Sequence, residues 1–296
     1  MDDSVDLDSL FREAVACIDA GNVTELERRL ADHPRLVRDR LSAPGAWLRD
    51  KVGGALDGFF RQPYLLWFVA EDPTRNNRLP PNIAEVARTI IEAARRDPRI
   101  DLREQLNYAL LLVGWSGVAH AAGVQIELID VLLDAGASPD GIPNNALVNG
   151  HVAAAEHLVQ RGAPLTLPVA LCLGRWEDAE RLAQTANAEE KQFSLVLAAL
   201  NGQAKALATL IDLGVDVNAP CPNLYSHATP LHHAVCSGSL DAVAVLVEAG
   251  AALDTPDTAW HGTPLGWAKH YQEERPQDGR YPRIAEYLRT LKAVTA

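Results

Sequence analysis

A chain of 296 residues that is 48% hydrophobic has material for one large domain or two ordinary ones built round a continuous core. Its 27 basic and 39 acidic side chains leave a formal charge of −12, which repels phosphate backbones and anionic membrane surfaces, so neither nucleic acid nor membrane is an expected partner. Four cysteines, Cys17, Cys172, Cys221 and Cys236, lie far apart with no C-x-x-C pair, which suits free thiols in a reducing compartment.

The start, MDDSVDLDSLFREAV, is acidic and lacks the basic region and apolar run of a secretory signal. No later stretch approaches the ~20 apolar residues of a membrane span, and a cytoplasmic location is expected. Arginine in excess of lysine, with abundant alanine, suggests a bacterial genome rich in GC. Residues 45–68, GAWLRDKVGGALDGFFRQPYLLWF, carry more aromatic residues than a linker requires: Trp47, Phe59, Phe60, Tyr64 and Trp67. Folding back to fill a groove is the preferred reading of this segment, ahead of partner binding.

From about residue 144 the chain repeats itself. PLHHAVCSGSLDAVAVLVEAGAALD (230–254) aligns with SLVLAALNGQAKALATLIDLGVDVN (194–218) at a constant offset of 36, pairing Ala234 with Ala198, Gly238 with Gly202, Leu246 with Leu210 and Gly250 with Gly214. NNALVNGHVAAAEHLVQRGAPL (144–165) keeps the same skeleton in Ala146, Gly150, Leu158 and Gly162, and VALCLGRWEDAERLAQ (169–184) is a shorter copy. Within each unit the logic is local. Thr229 caps a helix whose first residue is Pro230, where the missing N–H costs nothing. Gly238 reverses the chain, Leu240, Val243, Leu246 and Val247 mark one face of a second helix, and Gly250 ends it. Two short helices cannot bury their apolar faces alone; stacked on neighbours of the same kind, they make a continuous core.

TPLHHAV, followed by Gly238, the Leu246–Val247 pair and Gly250–Ala251, resembles the ankyrin repeat, and GTPLGWAKH (262–270) repeats its opening. The resemblance runs over about 124–270 and implies an all-α solenoid of stacked helix-turn-helix repeats, roughly seven or eight units. The expected division is 1–123, divergent ankyrin-like repeats or a helical cap, and 124–296, the repeat region with a capping C-terminal unit. ACIDAGNVTELERRLADHP (16–34) is similar to a first repeat, with Gly21 and Asn22 at its turn. Residues 62–94 fit a repeat whose turn is swollen by TRNNRLPP, and 104–123 is longer than the family's first helix. The polar YQEERPQDGR insertion precedes a last helix, 281–294, with Ile284, Tyr287, Leu288 and Leu291 inward and a charged outer face suited to a cap.

His232, His233 and Cys236 raise the question of a metal or catalytic site. The histidines and cysteines between 221 and 270 show none of the short fixed spacings of a zinc site, and adjacent helical side chains diverge by about 100°. Cys236 lacks a nucleophile turn and an orienting third group. No catalytic residue, metal or cofactor is expected. The resemblance instead implies that His232 bonds to the preceding threonine and to backbone of the adjoining repeat.

The repeat register places Asn145, Val169, Leu197, His233 and Trp267 in one outward row on the short helices, with Val148, Cys172, Leu200, Cys236 and His270 in a second. Apolar residues in such a row mark a contact strip; an inserted segment could equally cover it, and a shift of one residue would make it core. The long loops 219–228 and 255–262 add Tyr225, His227, Trp260 and His261 at one end. The expected function is a monomeric, non-enzymatic module that binds a protein partner through Leu197, Tyr225, His227, His233, Trp260, His261, Trp267 and His270. The alternative is an enzyme or small-molecule binder using the His/Trp/Tyr pocket at that end.

Overall fold

The computed structural model describes residues 6–71 and 75–295, and its elements are helical; among the described residues the only extended pairing is an isolated bridge between Cys221 and Leu224. Among the described residues, no helix is long and apolar enough to cross a membrane. Contacts divide the chain into compact units at 1–164 and 165–296, whereas the boundary expected at 123/124 followed the regularity of the repeats.

In the first unit, Leu7–Ala20 and Val23–Asp32 form a helical pair about Gly21, and the side chain of Asn22 caps the second helix by accepting from the N–H of Glu25 at 3.2 Å. The aromatic segment turns inward. Its 3₁₀ turn Leu65–Ala70 is buried throughout, Phe60 meets Phe68 edge-on at 5.1 Å, and Trp67 lies 4.3 Å from Tyr108. Trp47 stacks on Phe68 and donates its indole N–H to Asp8 at 2.7 Å. Only Phe59 of the five is largely exposed. Core filling is therefore what the extra aromatics do. The swollen turn that precedes helix Ile83–Arg95 includes Thr74, which lies outside the described residues.

The long stretch 104–123 is divided. Helix Leu102–Trp115 stops at Ser116, whose hydroxyl donates to the carbonyl of Ala70 at 2.7 Å and accepts from the N–H of Ala119 at 3.0 Å, starting a separate five-residue helix, Gly117–Ala121. A serine followed by glycine is a cap signal strong enough to interrupt an apolar run. Helices Gln125–Ala135, Ile142–Val148 and Val152–Gln160 complete the unit.

The second unit is regular. Its inner helices Leu167–Cys172, Ala188–Leu200, Pro230–Ser237 and Pro264–Glu274 pack each on the next, while the outer helices Ala204–Asp212, Leu240–Glu248 and Arg280–Thr295 do the same behind them. Leu207, Leu210, Leu231, Val235, Val243 and Leu246 make the continuous core that neither helix of a pair could make alone. Ile284 and Leu288 of the last helix are buried, as is Tyr281, while Tyr287 packs at the margin. The stack is stapled outside the core as well: the Asn218 side chain donates to the Gly250 carbonyl at 3.2 Å and accepts from the N–H of Ala252 at 2.8 Å.

Gly202 shows why the turn residue is fixed. Its φ is +63°, and a Cβ there would stand 2.7 Å from the Cβ of Ser239 in the next repeat. Gly202→Ala therefore meets both a left-handed backbone and a clash, and is expected to lower stability by about 2 kcal/mol. A urea midpoint equal to the parent's would contradict this.

Candidate functional site

At the C-terminal end of the second unit, two loops fold over the start of helix Pro230–Ser237. Thr229 and His232 lock that start: His232 Nδ1 accepts from the Thr229 N–H at 3.3 Å and lies 2.8 Å from its hydroxyl, and Nε2 reaches the Gly262 carbonyl at 3.0 Å. Since Gly262 offers only an acceptor, Nε2 carries the proton and Nδ1 is the acceptor. Both ring nitrogens are thereby used in joining one repeat to the next.

Asp257 organises the second loop. Buried, it accepts from the N–H groups of Ala259 (2.9 Å), Trp260 (2.6 Å) and Gly262 (2.8 Å) and from the indole of Trp267 (2.9 Å). Burial by itself would raise this carboxyl; the donors from Trp260, Trp267, Gly262 and Ala259 outweigh it and hold the group well below the usual carboxylate range. The loop is also tied to its neighbour, because the N–H of Thr258 donates to the His227 carbonyl at 2.8 Å.

On this frame the rings gather. His227 meets Trp260 edge-on at 5.0 Å and lies 6.1 Å from Trp267, 6.2 Å from Tyr225 and 6.4 Å from His233. Trp267 packs edge-on against His232 at 5.0 Å. Tyr225 and His261 hold positive φ values of 46° and 58°, unusual for residues other than glycine. Trp260 is 70% exposed and Tyr225 43%, so both present ring to solvent.

Residues 96–257, more than half of the chain, match the family described as ankyrin repeats (3 copies). The chain belongs to the ankyrin repeat family. Ankyrin repeats are in general protein–protein interaction modules. Among solved structures, this ankyrin repeat chain is similar to the human ASB11 ankyrin repeat domain at 19% identity, over 69% of this chain and 93% of that one, with a TM-score of 0.32. No curated protein matches it.

Tyr225, His227, Trp260 and Trp267, proposed from sequence as contacts, come together in this ankyrin repeat cluster, with His261 on the Asp257 loop and His270 one turn beyond Trp267. His270 is exposed and pairs with Glu274 at 3.4 Å. Two of the expected contact residues do not face outward. Leu197 has 0% exposure because its helix is packed between Leu167–Cys172 and Pro230–Ser237, and His233 has 2% because the rings of Tyr225, His227 and Trp267 cover it. Val169 and Cys172 of the same rows are buried too. Of the ten residues in the two expected rows, these four are core, Asn145, Val148, Leu200, Cys236 and Trp267 are half-buried, and His270 is exposed. Asp257 went unnoticed in the sequence, although its spacing to Ala259, Trp260 and Gly262 is a local capping pattern.

Burial pushes His233 down to about 4, helped by the charges of His227 and His232 and opposed by the carbonyls of Tyr225 and Ala228. His232 is lowered as well, by burial first, against the pull of the Gly262 carbonyl. Groups held below their ordinary value contribute stability that is present above about pH 6.5 and lost as pH falls toward the folded value. The urea midpoint is expected to decline between pH 6.5 and 4, with loss of the near-ultraviolet tryptophan signal. A flat midpoint over that window would contradict it. Among the described residues, no three His, Cys, Asp or Glu side chains gather as metal ligands would.

Proposed function

We propose that this chain is a non-enzymatic protein-binding module whose contact surface is the loop face made by Tyr225, His227, Trp260 and His261, with Trp267 and His270 beside them. The observation that carries the reading is the indole of Trp260: 70% exposed, yet on a loop whose backbone N–H groups are held by the buried Asp257. An exposed tryptophan on a fixed backbone offers large contact area with little rotor entropy left to lose, the property of interface anchors. Tyr225 adds a second exposed ring from the neighbouring loop, and His227 fills the space between them. His233 supports this face from below, and neither it nor the buried Leu197 is a contact.

Chemistry at the same place finds less support. His232 spends both nitrogens on structure, and His233 is buried beneath other rings and stays uncharged at neutral pH, which leaves neither free for proton transfer. The test is affinity purification with the chain as bait, identification of the captured protein by mass spectrometry, and titration of that protein against the parent and Trp260→Ala chains.

A further inference from the structure

The loop face of Tyr225 and Trp260 differs from other aromatic sites of this chain in one respect: no cation of the chain covers it. Lys205 lies 4.0 Å from the centre of the Trp176 ring, Arg40 lies 4.4 Å from that of Tyr64, and Arg275 lies 5.1 Å from that of Tyr271. In each case a positive group rests on the negative face of a ring. Among the described residues, no Lys or Arg stands over Trp260 or Tyr225, although these are the two most exposed of the large aromatic rings.

The surroundings of the two rings are negative as well. The loops 219–228 and 255–262 contain no Lys or Arg. Asp257 is buried in the loop that carries Trp260 and takes its hydrogen bonds from neutral N–H groups, not from a cation. Those donors spread its charge without cancelling it, so the loop keeps a negative potential. Beside the first loop, Glu189 accepts from Asn223 at 2.5 Å and likewise pairs with no cation among the described residues. Lys191 and Lys269 stand two residues from Glu189 and Trp267, which on a helix turns them about 200° away.

We infer that this face takes a basic segment of its partner, an arginine side chain of which lies over the Trp260 ring as Arg40 lies over Tyr64. The inference rests on the binding-module reading above and adds to it the chemistry of the partner. Arginine suits the ring better than lysine does, because its planar guanidinium stacks and is less strongly hydrated. A neutral segment would meet the same rings without the electrostatic gain. An acidic one would be opposed by Asp257, by Glu189 and by the formal charge of −12. The contact also needs little new ordering, since the backbone of Trp260 is already held by Asp257.

The probe is the peptide acetyl-Gly-Ser-Arg-Gly-Ser-Arg-Gly-Ser-amide, titrated into the full chain at pH 7.5 and about 0.15 M salt. Its control is the same peptide with citrulline, the neutral isostere, in place of both arginines. Indole N–H resonances locate the contact: those of Trp260 and Trp267 are expected to move, and that of Trp176, already covered by Lys205, to stay. The arginine peptide is expected to bind about fivefold tighter than its citrulline twin, and Trp260→Ala, which changes no charge, to abolish that difference. Equal affinity for the two peptides, or a preference that survives in Trp260→Ala, would overturn the inference. The binding-module reading is tested apart, with the captured protein: a chain indifferent to the peptides whose capture still falls with Trp260→Ala keeps the face and loses only its preference for arginine.

Discussion

Trp260→Ala is expected to weaken capture of the protein partner about 30-fold or more while leaving the urea midpoint within error of the parent. The asymmetry follows from where the ring sits. It touches His227 edge-on at 5.0 Å and Trp267 at 5.9 Å, yet most of it faces solvent, so its removal opens no cavity in the core. What it loses is contact area offered to a partner, and a central tryptophan at an interface is commonly worth 2 kcal/mol or more, which is about 30-fold in affinity. Tyr225→Ala, exposed and in the adjoining loop, is expected to weaken capture in the same direction by a smaller factor. Undiminished capture by the Trp260 variant would remove this face from consideration and return the search to the rest of the surface.

Much of this architecture is legible in the sequence because the determinants are local. Thr229 before Pro230, Gly238 at the reversal, Gly250 after the second helix and the 36-residue offset each act within one unit or between identical units, and the structure has the elements where those residues place them. His232 is readable for the same reason: its partners are its own threonine and the equivalent stretch one repeat on. The errors arise where a non-repeating piece meets the repeat. Periodicity assigns Leu197 and His233 to a face of a helix, but what covers that face depends on flanking helices and on the irregular 219–228 loop, which no offset of 36 describes. The break at Ser116 shows the converse, a local cap signal hidden inside a run apolar enough to read as one helix. Burial of most of the 45–68 aromatics was accessible through composition alone, since six large rings in 24 residues exceed what a solvent-exposed connection uses.

The Asp257 carboxylate is where fold and contact face join, and Asp257→Ala is expected to lower stability by about 2 to 3 kcal/mol and to weaken capture as much as Trp260→Ala does. Without the carboxylate, the N–H groups of Ala259, Trp260 and Gly262 and the indole of Trp267 lose their acceptor at once. Each buried donor left unmet costs about 1 to 3 kcal/mol, offset in part because water can enter a surface loop. Asp257→Asn separates charge from geometry. Its single oxygen can still serve Ala259 and Trp260, as Oδ1 does, but its NH2 group then faces the donors of Gly262 and Trp267, which Oδ2 had accepted. The asparagine variant should therefore keep the turn at Trp260, lose the anchorage of Trp267 and fall between parent and alanine in the urea midpoint. Acid tests the same assignment. A carboxyl held below its ordinary value contributes stability that is fully present above about pH 4 and lost only as pH falls through the lowered value. Between pH 6.5 and 4, then, the parent should lose stability through His232 and His233 while Asp257 remains charged, and the alanine variant should show the same slope from a lower starting point. A slope that disappears in Asp257→Ala would mean that this carboxylate, and not the buried histidines, sets the acid response of the loop face.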